Sequence, residues 1–408
     1  MRQPSSGFRR NPRTHQHRTH PMSVTAVPGF TAGHATCGIK TSGATDLALV
    51  AHADHTPVTA MGVFTSNKMT AAPVLLCKES LAATGGQAAA VILNSGNANA
   101  ATGQQGLNDA RTMAALTAQE LGCQPQEVLV CSTGWIGFTL PMDKISTGIP
   151  QAAANLTTDG GPAAAEAIMT TDTVPKTVTI NGQGFTIGGI AKGAAMLEPN
   201  MATMLAVLTT DAQIDAATGT KLLQQAVGTS FNCLTVDGAE STNDTVLLLA
   251  SGTAGPTDPQ EFGDALTEAC ASLATQMADD AEGSTKTVFL TVTGAANDTE
   301  AAKGARDTAN CQLVKCSWYG QDPYWGRIAA EMGAAGIAFD SETITISYGG
   351  QVVYADGQAQ PVDETALTAH MAGRRLNLEV DLGQGNGTAR IVTTDLSHAY
   401  IDENMRTS

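Results

Sequence analysis

Short apolar runs recur along this chain and constrain its fold more than any other feature. Val91 to Leu93 (VIL), Val128 to Cys131 (VLVC), Thr245 to Ala250 (TVLLLA) and Thr287 to Thr293 are too short for helices and are bounded by turn residues. Runs of that kind read as buried strands. Between them lie longer amphipathic stretches. Leu107 to Leu121 fits a helix, with Asn108 and Asp109 near its start and Gly122 just past its end, and Pro259 to Asp280 reads as a long helix. Thr177 to Ile180 and Phe185 to Ile190 flank NGQG, an Asn-Gly hairpin signal, and Met204 to Thr210 reads as the next strand. From residue 336 onward the pattern is strands around turns, with one helix near Glu364 to Arg374. The class is therefore α/β or α+β, with helices covering sheets. SGNANAATG after VIL reads as a loop, and STGWIG after VLVC as a turn. No internal repeat or low-complexity linker divides the chain, and 408 residues suffice for two or three domains or one large unit with an appendage.

Charge and composition exclude some functions. The formal net charge is −16, and an acidic body repels phosphate backbones, which argues against nucleic acid as a partner. No stretch of 18 apolar residues exists, so no transmembrane helix and no membrane partner are expected. Residues 1–21 hold five Arg and no acid, as a mitochondrial presequence does; a disordered leader, or a start at Met22, is the plainer expectation. The eight cysteines are scattered without a CxxC pair, so neither a zinc site nor a disulfide framework is expected, and most should be buried thiols in a reducing, cytoplasmic compartment.

The segment KGAAMLEPNMATMLAVLTTDA, residues 192–212, sets Thr203 between a Gly/Pro-punctuated loop and a strand. A Thr there is ordinarily a β-former. If the preceding peptide bond is cut, its hydroxyl lies beside its own α-amine, whose reference pKa of ~7.7–8.0 lets it act as a base near neutral pH. None of the eight histidines lies between residues 56 and 369, and a nucleophile that carries its own base needs none. Other motifs are ambiguous alone. STGWIG (132–137) either presents N–H groups and a hydroxyl for an oxyanion hole or is a plain turn. MTTDTVPK (169–176) either binds a polar substrate or caps a helix. FNCLTVDGAESTNDT (231–245) has acids but no metal-loop spacing, and side-chain hydrogen bonding in a turn is the simpler expectation. DAEGSTK (280–286) reads in isolation as a solvated turn, although Glu282 could meet a substrate ammonium. GQDPYWGRI (320–328), with Asp322, Trp325 and Arg327, either anchors an acid substrate or locks a corner. GQGNG (383–387) is followed by a strand-like run, so a hairpin turn is expected rather than a phosphate cradle.

Taken in order, GVFT (62–65), AAPV (71–74), SGNANA, STGWIG, TTDT, KGAAMLEPNMATML, FNCLTVDG–STNDT, DAEGSTK and DPYWGRI resemble the ornithine acetyltransferase family, the glutamate N-acetyltransferases of arginine biosynthesis. The resemblance covers residues 22–408. It implies layered sheets sandwiched between helices in an N-terminal-nucleophile-like fold, self-cleaved between Ala202 and Thr203 into an α chain (22–202) and a β chain (203–408), and a dimer of processed units, an α2β2 heterotetramer. It implies that Thr203 takes acetyl from N2-acetylornithine, releases ornithine and passes the acetyl to glutamate, without metal or organic cofactor. Thr133 and Gly134 match the family's oxyanion pair; Thr170, Lys192, Thr203, Glu282 and Asn404 match its substrate contacts, Lys192 suiting a carboxylate and Glu282 an ammonium.

This chain departs from the pattern at three places. The family usually has Ser-Gly where Ala194-Ala195 stand and Asn where Tyr324 stands, and the chain ends about one residue early, so either Thr407 or Ser408 takes the terminal hydroxyl's place. The extra methyl at Ala195 is expected to stiffen the loop and to slow cleavage without abolishing it. Acetyl-CoA as a second donor is compatible with the family, and no motif here decides it. Two further readings use the same residues: an N-terminal-nucleophile amidohydrolase or aminopeptidase with water as acceptor, and an uncleaved amino-acid-binding protein.

Overall fold

The structure, a computed structural model, describes residues 23–198 and 204–405. The strands among them form three sheets. The first comprises β1 (Phe30–Ala35), β2 (Leu47–His52), β5 (Ala90–Asn97) and β6 (Val128–Trp135), in that order. The second runs β4 (Gln87–Ala88), β3 (Val58–Phe64), β10 (Thr245–Pro256), β9 (Leu205–Gln213), β8 (Thr186–Lys192), β7 (Lys176–Asn181). The third runs β14 (Gln358–Ala359), β13 (Gln351–Ala355), β12 (Thr345–Tyr348), β15 (Arg375–Asp381), β11 (Thr287–Ala295), β16 (Gly387–Thr394).

The period of two along each strand explains the layering. In β2, β5 and β6, Val50, Val91, Leu93 and Leu129 point one way and meet Val207, Leu247 and Leu249 of the second sheet. The alternate residues Leu49, Ile92 and Val130 point outward and pack under α2 (Gly103–Leu121) and α3 (Met142–Ala154). On the far side, Ala206, Leu208, Val246 and Leu248 pack under α5 (Ala216–Gly228) and α6 (Pro259–Asp279). The result is four layers, helix–sheet–sheet–helix, which is why the central strands are apolar at every position rather than at alternate ones. The ends of the inter-sheet core are plugged by α1 (Ala72–Thr84), through Cys77, and by α4 (Gly161–Ala167), through Ala164, Ala165 and Ala167. The third sheet has its own core with α7 (Asp298–Asn310), α8 (Gln312–Tyr319), α9 (Trp325–Ala334) and α10 (Glu364–Ala372), and α11 (His398–Asn404) follows it.

The NGQG hairpin forms as expected, with β7 and β8 antiparallel from Lys176↔Ala191 to Asn181↔Thr186. Beyond residue 336 a second helix, His398–Asn404, joins the expected one, and of the eight cysteines only Cys77, Cys131 and Cys270 are buried. Three loop and turn expectations change as well. SGNANA is not all loop, because β5 continues to Asn97, and STGWIG is not a plain turn, because β6 continues to Trp135. Both extensions are held by mutual pairing, which breaks register between Gly96 and Asn97. GQGNG is not a hairpin turn: β15 and β16 both pair with β11 and not with each other, so the loop crosses the end of β11, where Gln384 and Gly385 donate to the Gly294 carbonyl at 2.7 and 2.9 Å. The corner reading of GQDPYWGRI holds: Arg327 donates to the Leu313 carbonyl at 2.8 Å and Trp325 stacks on Tyr354 at 4.0 Å. Among the described residues no helix is long and apolar enough to cross a membrane.

Candidate active site

One end of the double sheet gathers the residues singled out from the sequence. β6 and β8 finish there and β9 and β10 begin there, so Thr133 and Gly134, Lys192, Met204 and the STNDT segment meet at one place. A cavity of about 450 Å³ lies between these strand ends. Its outer wall comes from the turn after α6, through Glu282, and from α11, through Tyr400 and Asn404. Thr170 lines it from the loop after α4. Six residues singled out from the sequence, scattered from position 133 to 404, therefore face one volume: Thr133, Gly134, Thr170, Lys192, Glu282 and Asn404. Met204, the residue after Thr203, lines it too. Ala202, Thr203 and Thr407 lie outside the described residues.

Gly134 is glycine for two physical reasons. Its φ is +129°, a region L side chains rarely adopt, and a Cβ there would sit 2.3 Å from the Gly96 carbonyl carbon and 2.5 Å from the Asn97 nitrogen. The register break between β5 and β6 falls at this contact and turns the backbone of 133–134 toward the cavity mouth. Asn243 ties that strand to the STNDT segment by donating to the Ser132 carbonyl at 2.8 Å and to the Ala98 carbonyl at 2.5 Å.

The site is dense in buried charge. Lys192 is 8% exposed and its Nζ lies 3.2 Å from the Thr133 hydroxyl. Burial lowers its pKa and Lys176 lowers it further, while Asp172, Asp244 and Glu282 hold it up. Asp172 accepts from Lys176 Nζ at 2.6 Å, from the Gly193 amide at 2.8 Å and from the Thr170 amide at 2.9 Å. It thereby fixes the Thr170 loop, the end of β8 and Lys176 together. Lys176 also pairs with Asp280, beside Glu282. Asp237 performs the same service for the KGAAML segment, accepting from the Met196 and Leu197 amides at 2.7 and 2.9 Å and from the Tyr400 hydroxyl at 3.2 Å. Glu282 is not a solvated turn residue: it is 8% exposed, its amide donates to the Ala194 carbonyl at 2.9 Å and its Oε2 accepts from Asn404 at 2.7 Å. Sequence reasoning singled out the segments holding Asp172, Asp237 and Asp244 but not these acids as site residues. The signal available was an acid flanked by small hydroxyl residues, as in TTDT and STNDT, which equally marks an ordinary turn.

The departures at Ala194-Ala195 meet no backbone obstacle. Neither residue has a positive φ; the left-handed position is Met196, at φ 52°. Tyr324 stands immediately before α9, makes no capping hydrogen bond with its side chain and does not line the cavity. Among the described residues no group of three or more His, Cys, Asp or Glu side chains is placed to hold a metal ion.

The Asp172 network makes a testable claim about pH. Burial alone would raise its pKa, but Lys192 and Lys176 outweigh burial and hold it down at about 2, against an ordinary 3.8. A depressed carboxylate contributes stability above its unfolded pKa and loses it as pH falls through the folded value. The stability advantage of wild type over Asp172→Asn should therefore shrink by about 2 kcal/mol as pH falls from ~5 to ~2, at about 1.36 kcal/mol per pKa unit. Denaturant titrations of the two proteins across that range measure it, and a constant difference would contradict the assignment.

The ArgJ family model matches residues 31–407. The chain is 48% identical over 392 residues to the arginine biosynthesis bifunctional protein ArgJ of Mycolicibacterium paratuberculosis, an alignment covering 94% of this chain and 96% of that protein. It is 44% identical over 384 residues to the protein of the same name from Streptomyces coelicolor, covering 94% and 99%. A solved structure of ornithine acetyltransferase complexed with ornithine, from Mycobacterium tuberculosis, is similar at 44% identity and a TM-score of 0.42, covering 45% of this chain and 96% of that one.

Proposed function

Because this chain belongs to the ArgJ family, and so transfers acetyl between ornithine and glutamate in arginine biosynthesis, we propose that it does so through an acetyl ester on Thr203. The chain cuts itself between Ala202 and Thr203, giving an α chain to Ala202 and a β chain from Thr203. The freed amine of Thr203 takes the proton of its own hydroxyl, and the oxygen attacks the acetyl carbonyl of N2-acetylornithine. Thr133 and Gly134 stabilise the negative oxygen that forms. Collapse releases ornithine with its N2 reprotonated and leaves the ester. The amine of glutamate then attacks the ester, giving N-acetylglutamate and restoring Thr203. An acetyl amide stands on each side, so the exchange is close to thermoneutral and runs both ways. The observation that carries this reading is the convergence of Thr133, Gly134, Thr170, Lys192, Glu282 and Asn404 on the cavity that Met204 lines.

Charge assigns the contacts. Both substrates carry an α-carboxylate, which Lys192 meets, with Thr170 and Asn404 as polar neighbours and Thr407 at the chain's end. N2-acetylornithine carries a side-chain ammonium, which Glu282 meets; glutamate has no second cation. Glu282→Gln should therefore raise KM for N2-acetylornithine by about 30-fold or more and change KM for glutamate far less, since removing one partner of a buried, hydrogen-bonded charge pair costs about 2 kcal/mol or more and ~1.4 kcal/mol is tenfold. Ornithine release followed with and without glutamate tests the function itself. Steady release that requires glutamate supports transfer; release at the same rate with water alone points to an amidohydrolase. Processed chains assemble as an α2β2 heterotetramer in the cytoplasm.

A further inference from the structure

Glu198 is the last described residue before the bond that self-cleavage would cut, and it does not line the cavity. Transfer has no use for its carboxylate, yet the fold holds it closely. Its side chain is 14% exposed. Oε1 accepts from Asn310 Nδ2 at 2.9 Å and lies 3.3 Å from Arg306 Nη1, and both partners stand on α7, which packs on the third sheet. Those partners are held in turn: Arg306 donates to the Asn232 carbonyl at 2.5 Å, and Asn310 accepts from the Thr235 hydroxyl at 2.6 Å. Gly238 leaves room for the carboxylate. Its φ is +71°, and a Cβ there would come within 3.2 Å of Glu198 Oε2 and 3.7 Å of Asn310 Cγ.

The backbone at Glu198 is pinned as well. Its amide donates to the Ala239 carbonyl at 3.1 Å, and the Leu197 carbonyl accepts from the Val236 amide at 2.6 Å. Past the cleavage point the Met204 carbonyl accepts from the Thr245 amide at 3.0 Å, where β9 begins beside β10. One stretch, 236–245, therefore fixes the chain on both sides of residues 199–203. An unanchored run explores many conformations, and anchoring both of its ends removes most of them. A largely buried ion pair is a poor source of net stability, because desolvation offsets much of its attraction; its best-attested use is to fix one register.

We propose that Arg306 and Asn310 clamp Glu198 so that the bond between Ala202 and Thr203 is presented for self-cleavage. In that step the Thr203 oxygen replaces its nitrogen on the Ala202 carbonyl carbon, the hydroxyl proton passes to the nitrogen, and water opens the ester to a carboxylate and a hydroxyl. Glu198 is a positioning residue for this step, acting through the backbone four residues upstream of Ala202. The role rests on Thr203 being the self-freed nucleophile. Transfer by the cut protein does not depend on the clamp, which then joins the α chain, through Glu198, to the β chain, through α7.

Full-length chains made by cell-free synthesis are sampled with time and weighed under denaturing conditions, and transfer kcat is measured per cut chain. A displacement imposed from outside the site can cost up to about 10²-fold, so Glu198→Ala should cleave about 10- to 100-fold more slowly than wild type while kcat per cut chain stays within about twofold. Glu198→Gln, which keeps the shape and an oxygen for Asn310, should fall between the two and carries the test if the Ala protein folds poorly. Arg306→Ala should slow cleavage as Glu198→Ala does, and the double variant should be little slower, because both changes remove one contact. Wild-type cleavage in the Glu198 variants, fully additive losses in the double variant, or a loss of kcat per cut chain as large as the loss of cleavage would each overturn the clamp. The two claims separate on the wild-type chain: one that is never cut refutes self-cleavage itself, whereas a cut wild type beside normally cut Glu198 variants refutes only the clamp.

Discussion

Thr203→Ala should yield a single uncut chain with transfer reduced by on the order of 10⁴-fold or more. Removing a nucleophile that acts together with its base and its oxyanion hole costs a large share of the whole rate enhancement. Alanine also removes the hydroxyl that would open the preceding peptide bond, so cleavage and transfer are lost together. The rest of the site should survive, because the side chains that hold it are tied to one another: Lys192 to Thr133, Asp172 to Lys176 and Gly193, Glu282 to Asn404. The variant should still bind N2-acetylornithine in a calorimetric titration. Thr203→Ser, which keeps hydroxyl and amine, should retain part of both activities. Transfer at wild-type rate in the alanine protein would place the nucleophile elsewhere.

Gly134→Ala should lower transfer kcat by about 10²- to 10³-fold, the usual cost of losing an oxyanion donor. The cause is steric and conformational together. The new methyl meets the backbone of Gly96 and Asn97 at 2.3 and 2.5 Å, and backbone atoms cannot rotate away as a side chain would. The φ of +129° is itself unfavourable for alanine. β6 must therefore shift against β5 just where Thr133 and Gly134 face the cavity. Uncut chain should accumulate as well, because the same donors would serve the intermediate of self-cleavage. Steady-state kinetics beside a far-ultraviolet circular dichroism spectrum distinguish this from unfolding: a folded variant with kcat within threefold of wild type would remove Gly134 from the mechanism.

The layered core was largely legible in the sequence. VLLLA (246–250) and VLVC are apolar at every position because helices cover one side of each sheet and the other sheet covers the second. The strand ends were less legible. SGNANA and STGWIG contain the small residues of a loop, yet they extend β5 and β6 because each supplies the other's pairing partner, a long-range fact that local propensity does not carry. GQGNG misled for the same reason: that β11 would lie between β15 and β16 is a property of the sheet order alone. At the site, residue types and order pointed to Thr133, Gly134, Thr170, Lys192, Glu282 and Asn404 through a family resemblance, and the fold draws them to one cavity. Asp172, Asp237 and Asp244 were hidden, since what distinguishes Asp172 and Asp244 from turn aspartates is burial, and what distinguishes Asp237 is its contacts to Met196, Leu197 and Tyr400, all of which depend on distant segments.

Self-cleavage at Thr203 is the claim on which the rest depends. Intact mass of the purified protein under denaturing conditions, with N-terminal sequencing of each chain, tests it most directly. Two chains of nearly equal mass, one beginning TMLAVL, are the expected result. A single uncut chain that transfers acetyl from N2-acetylornithine to glutamate would contradict it.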